Sequence, residues 1–150
     1  MRIYSLISLV LIGWALSSCN TSEMASEQLS SEISVLIEAE SFNDASSKNI
    51  VGSDIVKLAA NEWLAYEINV PATGRYKIEA RCSSLTTGSI WLEDYYNNND
   101  ERTYDITGKM NFPGNQDNSF QLISREGSPL KAGKHEIKLH NIDAQVSLDW

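Results

Sequence analysis

The stretch NEWLAYEINVP, from Asn61 to Pro71, predicts a β-strand that is buried on one side only. Alternate residues of a strand point to opposite faces of a sheet. One face of this strand is therefore apolar, with Leu64, Tyr66, Ile68 and Val70. The other carries Glu67 and Asn69, which favour water, yet it begins with the large indole of Trp63. Packing in the core does not explain why a tryptophan lies on this polar face.

Similar short segments, rich in β-branched and aromatic residues, fill the chain from residue 35 to residue 150. Turn sequences such as PATG, TTG and FPGNQDN separate them. This pattern predicts an all-β fold, a sandwich of two antiparallel sheets. The range 35–150 has the length of one small domain that can bury a core.

Residues 1–18 are predicted to be a secretory signal, because Arg2 precedes an apolar run that ends in small residues. The ending LSSC resembles the bacterial lipobox, which implies that Cys19 is acylated and becomes the new N-terminus. An ordinary cleaved signal with an incidental cysteine is the alternative. Residues 19–34, polar and rich in Ser and Glu, are predicted to be a flexible tether. The protein is therefore expected at the cell envelope, lipid-anchored at the outer membrane or cell surface.

Composition and single residues exclude several function classes. The formal charge is −8 and no Lys/Arg cluster is interleaved with aromatic residues, so nucleic acid is not an expected partner. Cys82 continues an apolar alternation and is predicted to be a buried hydrophobe rather than a catalytic thiol. His135 and His140 are predicted to be core or rim residues. No motif places a pair of acidic residues for glycoside hydrolysis, so no catalysis is expected from this chain.

Four stretches resemble, in the same order, the signatures of family 6 carbohydrate-binding modules: IEAESF, NEWLAYEINVPATGRYKIEAR, LKAGKHEIKL and VSLDW. The resemblance implies a jelly-roll type β-sandwich that binds polysaccharide or oligosaccharide without catalysis. Because such modules are usually attached to polysaccharide-degrading enzymes, the chain could also be the front of a longer lipoprotein glycoside hydrolase or polysaccharide lyase. A degenerate sandwich that serves only in protein contacts is a third interpretation.

The first site that the resemblance implies lies at the loop apex of the sandwich. Simple hairpin connections would bring the loops AANE, SSLTTG, TGKMNFPGNQDNS and NIDAQ to one end. In the family two aromatic rings usually sandwich a sugar there, and an asparagine binds its hydroxyls. This chain has Lys57 where a tyrosine is usual and offers only Phe112 in the loop of the second ring. Asn141 is the candidate amide, although Ser147 fits another alignment, so a lost or altered pocket and a working one both remain open.

The second site lies on the outward face of the strands. Ile90 and Leu92 are predicted to point inward, so Trp91 and Glu93 point outward like Trp63. The resemblance implies a site on the concave face that includes Trp63 and an acidic residue matching Glu93. Indoles pack against sugar C–H groups and a carboxylate accepts hydroxyl hydrogen bonds, so these residues predict a shallow platform for a neutral polysaccharide. A minor core beneath a loop or the N-terminal segment is the alternative.

A metal site is also predicted. The period of two places Glu38 and Glu40 on one strand face, where two carboxylates need solvent or a cation between them. The resemblance implies a structural Ca²⁺ held by Glu38, Glu40 and Asp149, and three oxygen ligands suit such a hard cation. A solvated acidic strand edge is the alternative interpretation.

Overall fold

Two antiparallel sheets make up the protein. The structure, a computed structural model, describes residues 1–5, 33–50, 54–97 and 103–150. Every strand pair within these residues is antiparallel, which confirms the predicted β-sandwich. Sheet A has the order β2 (Ile33–Leu36), β1 (Arg2–Ser5), β6 (Tyr76–Ser83), β12 (Val146–Leu148) and β4 (Val56–Leu58), and β10 (Gln121–Glu126) also pairs with β6. Sheet B has the order β3 (Asp44–Ala45), β5 (Trp63–Val70), β11 (Gly133–Asn141), β7 (Gly88–Asn97) and β8 (Tyr104–Asp105), and β9 (Met110–Phe112) also pairs with β7.

The core lies between the inward faces of the two sheets. On β5 the predicted alternation is confirmed, since the four apolar residues are buried while Glu67 and Asn69 are exposed. Ile78 of sheet A and Leu92 and Ile137 of sheet B have no exposed surface. Each such side chain stabilises the fold by about 1.5 to 3 kcal/mol on burial.

The predicted grouping of loops is confirmed at the apex end. The Asn61 N–H donates to the Asn141 carbonyl at 3.0 Å, which joins the AANE and NIDAQ loops. The Asn115 N–H donates to the Ser84 carbonyl at 2.8 Å, and the Ser84 hydroxyl donates to the Gln145 carbonyl at 2.7 Å. Four separate loops are therefore held together at this end of the sandwich.

The N-terminal residues of the predicted signal form a strand in sheet A. β1 pairs with β2 on one side and with residues 76–79 of β6 on the other. β12 lies on the same edge of β6 as β1, because β10 occupies the opposite edge, and the Arg81 N–H donates to the Trp150 carbonyl. β12 and β1 therefore lie end to end beside β6, with Met1 next to Trp150.

This arrangement differs from the predicted domain range of 35–150. The sandwich includes β1, and β2 begins at Ile33, two residues before the predicted boundary. Cys19, most of the predicted signal and nearly all of the 19–34 tether lie outside the described residues. Within the part of the chain that the structure describes, no helix has the length and apolar character to cross a membrane.

Candidate functional site

The outward side chains of three neighbouring strands form a surface that we call the aromatic face. Its residues are Trp63 on β5, Lys138 and His140 on the central strand β11, and Trp91, Glu93 and Tyr95 on β7. His140 lies directly opposite Trp63 on one side and opposite Trp91 on the other. The register therefore lines up three rings, Trp63, His140 and Trp91, in one row across the sheet.

His140 connects the two functional groups of β7. Its imidazole stacks on the Trp91 ring, with ring centroids 4.3 Å apart and planes inclined by 11°. Its Nε2 lies 2.8 Å from Glu93 Oε2, and the tautomer with a hydrogen on Nε2 donates it to this carboxylate oxygen. The imidazole thus fixes the carboxylate and covers one face of Trp91, whose side chain is partly exposed.

Lys138 occupies the space between the flanking strands. Its Nζ lies 4.5 Å from the centroid of the Trp63 ring and 3.1 Å from that of the Tyr95 ring. An ammonium group over aromatic faces is attracted by their negative quadrupole. The ion pairs formed within the described residues do not include Lys138. This lysine is therefore a cation whose neighbours on the face are aromatic rings.

Three residues of this surface are predicted from the sequence, and three are not. Parity placed Trp63, Trp91 and Glu93 outward, and both indoles are indeed partly exposed. Neither indole is therefore completely buried. His140, Lys138 and Tyr95 were missed, although alternation along HEIKLH separates Lys138 and His140 from the buried residues. His135, on the other parity, is buried as predicted.

The loop apex contains a pocket of about 400 Å³. Lys57 lines it as predicted, together with Leu85, Asn118, Ser147 and neighbouring serine, threonine and glutamine side chains. Its described lining residues include no aromatic side chain. The pocket can form hydrogen bonds, but it offers no ring on which a sugar could stack.

Phe112 and Asn141 do not reach this pocket, contrary to the sequence prediction. Phe112 is 1% exposed and belongs to the core. Asn141 is equally buried, and its Nδ2 donates to the Ala59 carbonyl at 2.7 Å and the Ala144 carbonyl at 2.6 Å. The amide therefore joins two apex loops and has a structural role, because its donors already have protein acceptors.

The carboxylates predicted to bind calcium are arranged differently from the prediction. The IEAE segment is not one continuous strand, because β2 ends at Leu36 and a 3₁₀ turn spans Ala39–Ser41. The parity argument for Glu38 and Glu40 therefore fails. Glu40 has one buried oxygen without a hydrogen-bond partner, while Asp149 forms an ion pair with Arg81.

The N-terminal amino group of Met1 lies near these carboxylates. Burial lowers the pKa of this group to about 5, whereas the negative charges of Glu38, Asp149 and Glu40 act in the opposite direction. Within the described residues, no three acidic, histidine or cysteine side chains are grouped closely enough to hold a metal ion. With β1 in place, these residues do not fit a resident calcium ion.

Cys82 is a core residue, as predicted. Its side chain is 1% exposed, and burial raises the pKa of its thiol to about 11. A thiol with such a pKa is almost entirely protonated at neutral pH, so it is a poor nucleophile. Cys82 therefore contributes packing and not chemistry.

The fold is that of family 6 carbohydrate-binding modules. A module from Clostridium stercorarium, solved with cellobiose, is 15% identical over 76% of this chain and 88% of its own, with a TM-score of 0.62. A module of a Cellvibrio mixtus lichenase, solved with cellotriose, is 21% identical over 76% of this chain and 91% of its own, with a TM-score of 0.56.

The same fold occurs inside a larger enzyme. A cycloisomaltooligosaccharide glucanotransferase from a Paenibacillus species is 22% identical over 75% of this chain, with a TM-score of 0.55. The match covers 17% of the enzyme. No protein-family model and no curated protein matches the sequence.

Proposed function

We propose that this protein is a non-catalytic carbohydrate-binding module that binds a polysaccharide chain on its aromatic face. The observation that carries the proposal is the row of Trp63, His140 and Trp91 beside the partly exposed carboxylate of Glu93. Aromatic rings pack against the C–H surface of sugars, and a fixed carboxylate accepts hydrogen bonds from their hydroxyl groups. The two kinds of interaction together bind and orient a sugar ring.

The arrangement supports modest affinity at a single site. Each aromatic contact contributes about 0.5 to 1.5 kcal/mol, and each hydrogen bond about as much. Binding with a dissociation constant near millimolar corresponds to about 4 kcal/mol, which a few such contacts supply. Many copies held at one surface would strengthen attachment to a long polymer through multivalency.

The test removes both indoles. A glycan array probed with the full chain identifies ligands, and titration then compares Trp63→Ala/Trp91→Ala with the unaltered protein. We expect at least a tenfold loss of affinity with the fold retained, as two lost aromatic contacts predict. Trp150→Ala, which removes an indole from the end of sheet A, is the matched control and should retain binding. Unchanged affinity in the folded double variant would reject the aromatic face as the site.

A binding module within a longer glycoside hydrolase or polysaccharide lyase is the second candidate. Its support is the glucanotransferase, in which a region with this fold forms a small part of a much larger enzyme. The proposed sugar-binding role of the aromatic face is the same in both cases. Release of reducing ends from any array ligand by this chain would contradict the non-catalytic assignment.

We also propose lipid attachment at Cys19, which would hold the module at the outer membrane or cell surface. The support is the LSSC sequence and the polar segment that follows it. In the native host, Cys19→Ser should move the protein from the membrane fraction to the soluble fraction. Ser22→Ala, a substitution within the tether, is the control and should stay with the membrane fraction. A Cys19→Ser protein that remains membrane-bound would exclude this anchor.

Removal of residues 1–18 would also take away β1 and the Met1 amino group. Glu38, Glu40 and Asp149 would then lose the amino group beside them, and their oxygen atoms suit Ca²⁺. We therefore expect calcium to stabilise the processed chain, by about 2.7 kcal/mol at a free concentration one hundred times the dissociation constant. Melting curves with calcium and with chelator should separate for residues 19–150 and coincide for the full chain. Coincident curves for both would eliminate calcium.

A further inference from the structure

The central strand of the aromatic face supplies basic side chains, while the two flanking strands supply the aromatic ones. Lys138 and His140 are two residues apart on β11 and project on the same side. Trp63 lies on one flank, and Trp91 and Tyr95 lie on the other. A surface built only for a neutral sugar has no need of a cation between its rings.

Among the residues that the structure describes, Lys138 has no ion-pair partner. Glu93 lies directly opposite Lys138 in the strand register, but its carboxylate is hydrogen-bonded to His140. The Lys138 ammonium instead lies over the rings of Trp63 and Tyr95. Such a cation–π contact at an exposed site is weaker than a charge-assisted hydrogen bond, so an incoming carboxylate can recruit the ammonium.

Neighbouring acidic groups restrict the direction in which an anionic polymer could lie. Glu67 and Glu136 face each other across β5 and β11, one step beyond the Lys138 position. On the other side of β7, Asp105 is opposite Glu93. A polyanion running along the strands would meet the Glu67 and Glu136 pair, whereas one running across the strands follows the row of rings.

Lys138 also affects neutral and acidic sugars differently. A sugar ring that packs on the covered face of Trp63 must displace the ammonium from that face. A neutral sugar offers the displaced ammonium only hydroxyl groups. A sugar with a carboxylate gives it an ion pair while the pyranose ring takes its place on the indole.

We propose that the aromatic face selects acidic glycans, with Lys138 as the specificity-determining residue that pairs with the carboxylate of a uronic acid. The inference rests on the proposed sugar-binding function and replaces the expectation of a neutral chain. Trp63 and Trp91 provide the stacking surfaces, Glu93 accepts hydroxyl hydrogen bonds, and Lys138 distinguishes charged rings from uncharged ones.

The experiment compares ligands that differ only in charge. The full chain is titrated with hexamers of galacturonic, glucuronic and mannuronic acid, each beside its fully methyl-esterified form. At least one acidic hexamer should bind about tenfold more tightly than its ester at low salt, and added sodium chloride should reduce the difference. Lys138→Gln should remove the preference for the acid while binding of the ester remains.

Lys57→Gln, which removes the same charge from the apex pocket, is the matched control and should keep the preference. If acids and esters bind equally, or only neutral array glycans bind, the inference is overturned while the proposed function stands. If Lys57→Gln instead removes the preference, the acid is bound at the apex and Lys138 is excluded. If neither the hexamers nor any array glycan binds the folded protein, the proposed function itself fails.

Discussion

The aromatic face and the apex pocket differ in two ways: the pocket is enclosed but has no aromatic ring among its described residues, whereas the face is open but carries three in one row. The apex is the more enclosed of the two, with about 400 Å³ lined by three loops and by β4 and β12, yet its described lining carries no aromatic ring. The aromatic face is an open sheet surface with three rings in one row. For a ligand with one apolar side and many hydroxyl groups, the ring surface matters more than the cavity.

The position of Phe112 accounts for the missing ring at the apex. A Cβ atom on Gly88 would lie 2.5 Å from Phe112 Cζ, so the absence of a side chain at Gly88 creates the space that the phenyl ring fills. β9 pairs with the first residues of β7 and places Phe112 directly opposite Gly88. The ring is thus part of the packing between the sheets and cannot serve the pocket above it.

The largest effect is expected from truncating this ring. Phe112→Ala should lower the free energy of unfolding by about 3 to 5 kcal/mol, because it leaves a cavity in a close-packed core. Denaturant unfolding measures this loss. Leu85→Ala, which trims an exposed residue of the apex pocket, is the control and should change stability by less than about 0.5 kcal/mol. If Phe112→Ala keeps normal stability but no longer binds sugar, Phe112 is a ligand-binding residue and not a core residue.

The next largest effect is expected at Asn141. Asn141→Ala removes the amide donors to two apex-loop carbonyls and should cost about 2 to 3 kcal/mol, since those buried groups lose their partners. Thermal unfolding checks the loss, and Gln145→Ala, which removes an exposed amide from the rim of the pocket, is the comparison with a smaller cost. Affinity for the array ligand should be unaffected. Weaker sugar binding without loss of stability would mean that Asn141 acts on the ligand.

A smaller effect distinguishes the two contacts of His140. His140→Ala should weaken sugar binding by about 1 kcal/mol, roughly a fivefold change, because both Trp91 and Glu93 lose the group that positions them. His140→Phe keeps a stacked ring and His140→Asn keeps a hydrogen-bond donor, so each should recover part of the affinity. Isothermal titration of the three variants separates the contributions. Equal affinity in all of them would remove any positioning role for His140.

The smallest effect is expected at Lys57. Lys57→Ala should change affinity for a neutral array ligand and stability by less than about 0.5 kcal/mol each, because Lys57 is an exposed residue of a pocket without stacking surfaces. Titration of Lys57→Ala beside Trp63→Ala compares the two regions directly. A greater loss from Lys57→Ala than from Trp63→Ala would reverse the assignment of the site.

Features that depend on local periodicity could be predicted from the sequence. Alternation along NEWLAYEINVP and SIWLEDYY was sufficient to predict strands and to place Trp63, Trp91 and Glu93 on the outward side. The buried character of Cys82 and His135 follows from the same period of two. Short strands separated by turn sequences also sufficed for the sandwich class.

Features that depend on pairing between distant segments were decided only by the tertiary structure. The alternation of residues along a strand does not determine which strands are neighbours or how they are aligned. The position of His140 between Trp63 and Trp91 could therefore not be predicted from the sequence. The loop that contains Phe112 lies at the apex as predicted, but the ring itself packs against Gly88 in the core, where no side chain occupies the space. The IEAE segment leaves the strand conformation in the 3₁₀ turn Ala39–Ser41, so the alternation predicted for Glu38 and Glu40 does not apply. Local patterns specify which side of a strand a residue takes, whereas nonlocal packing specifies what that residue contacts.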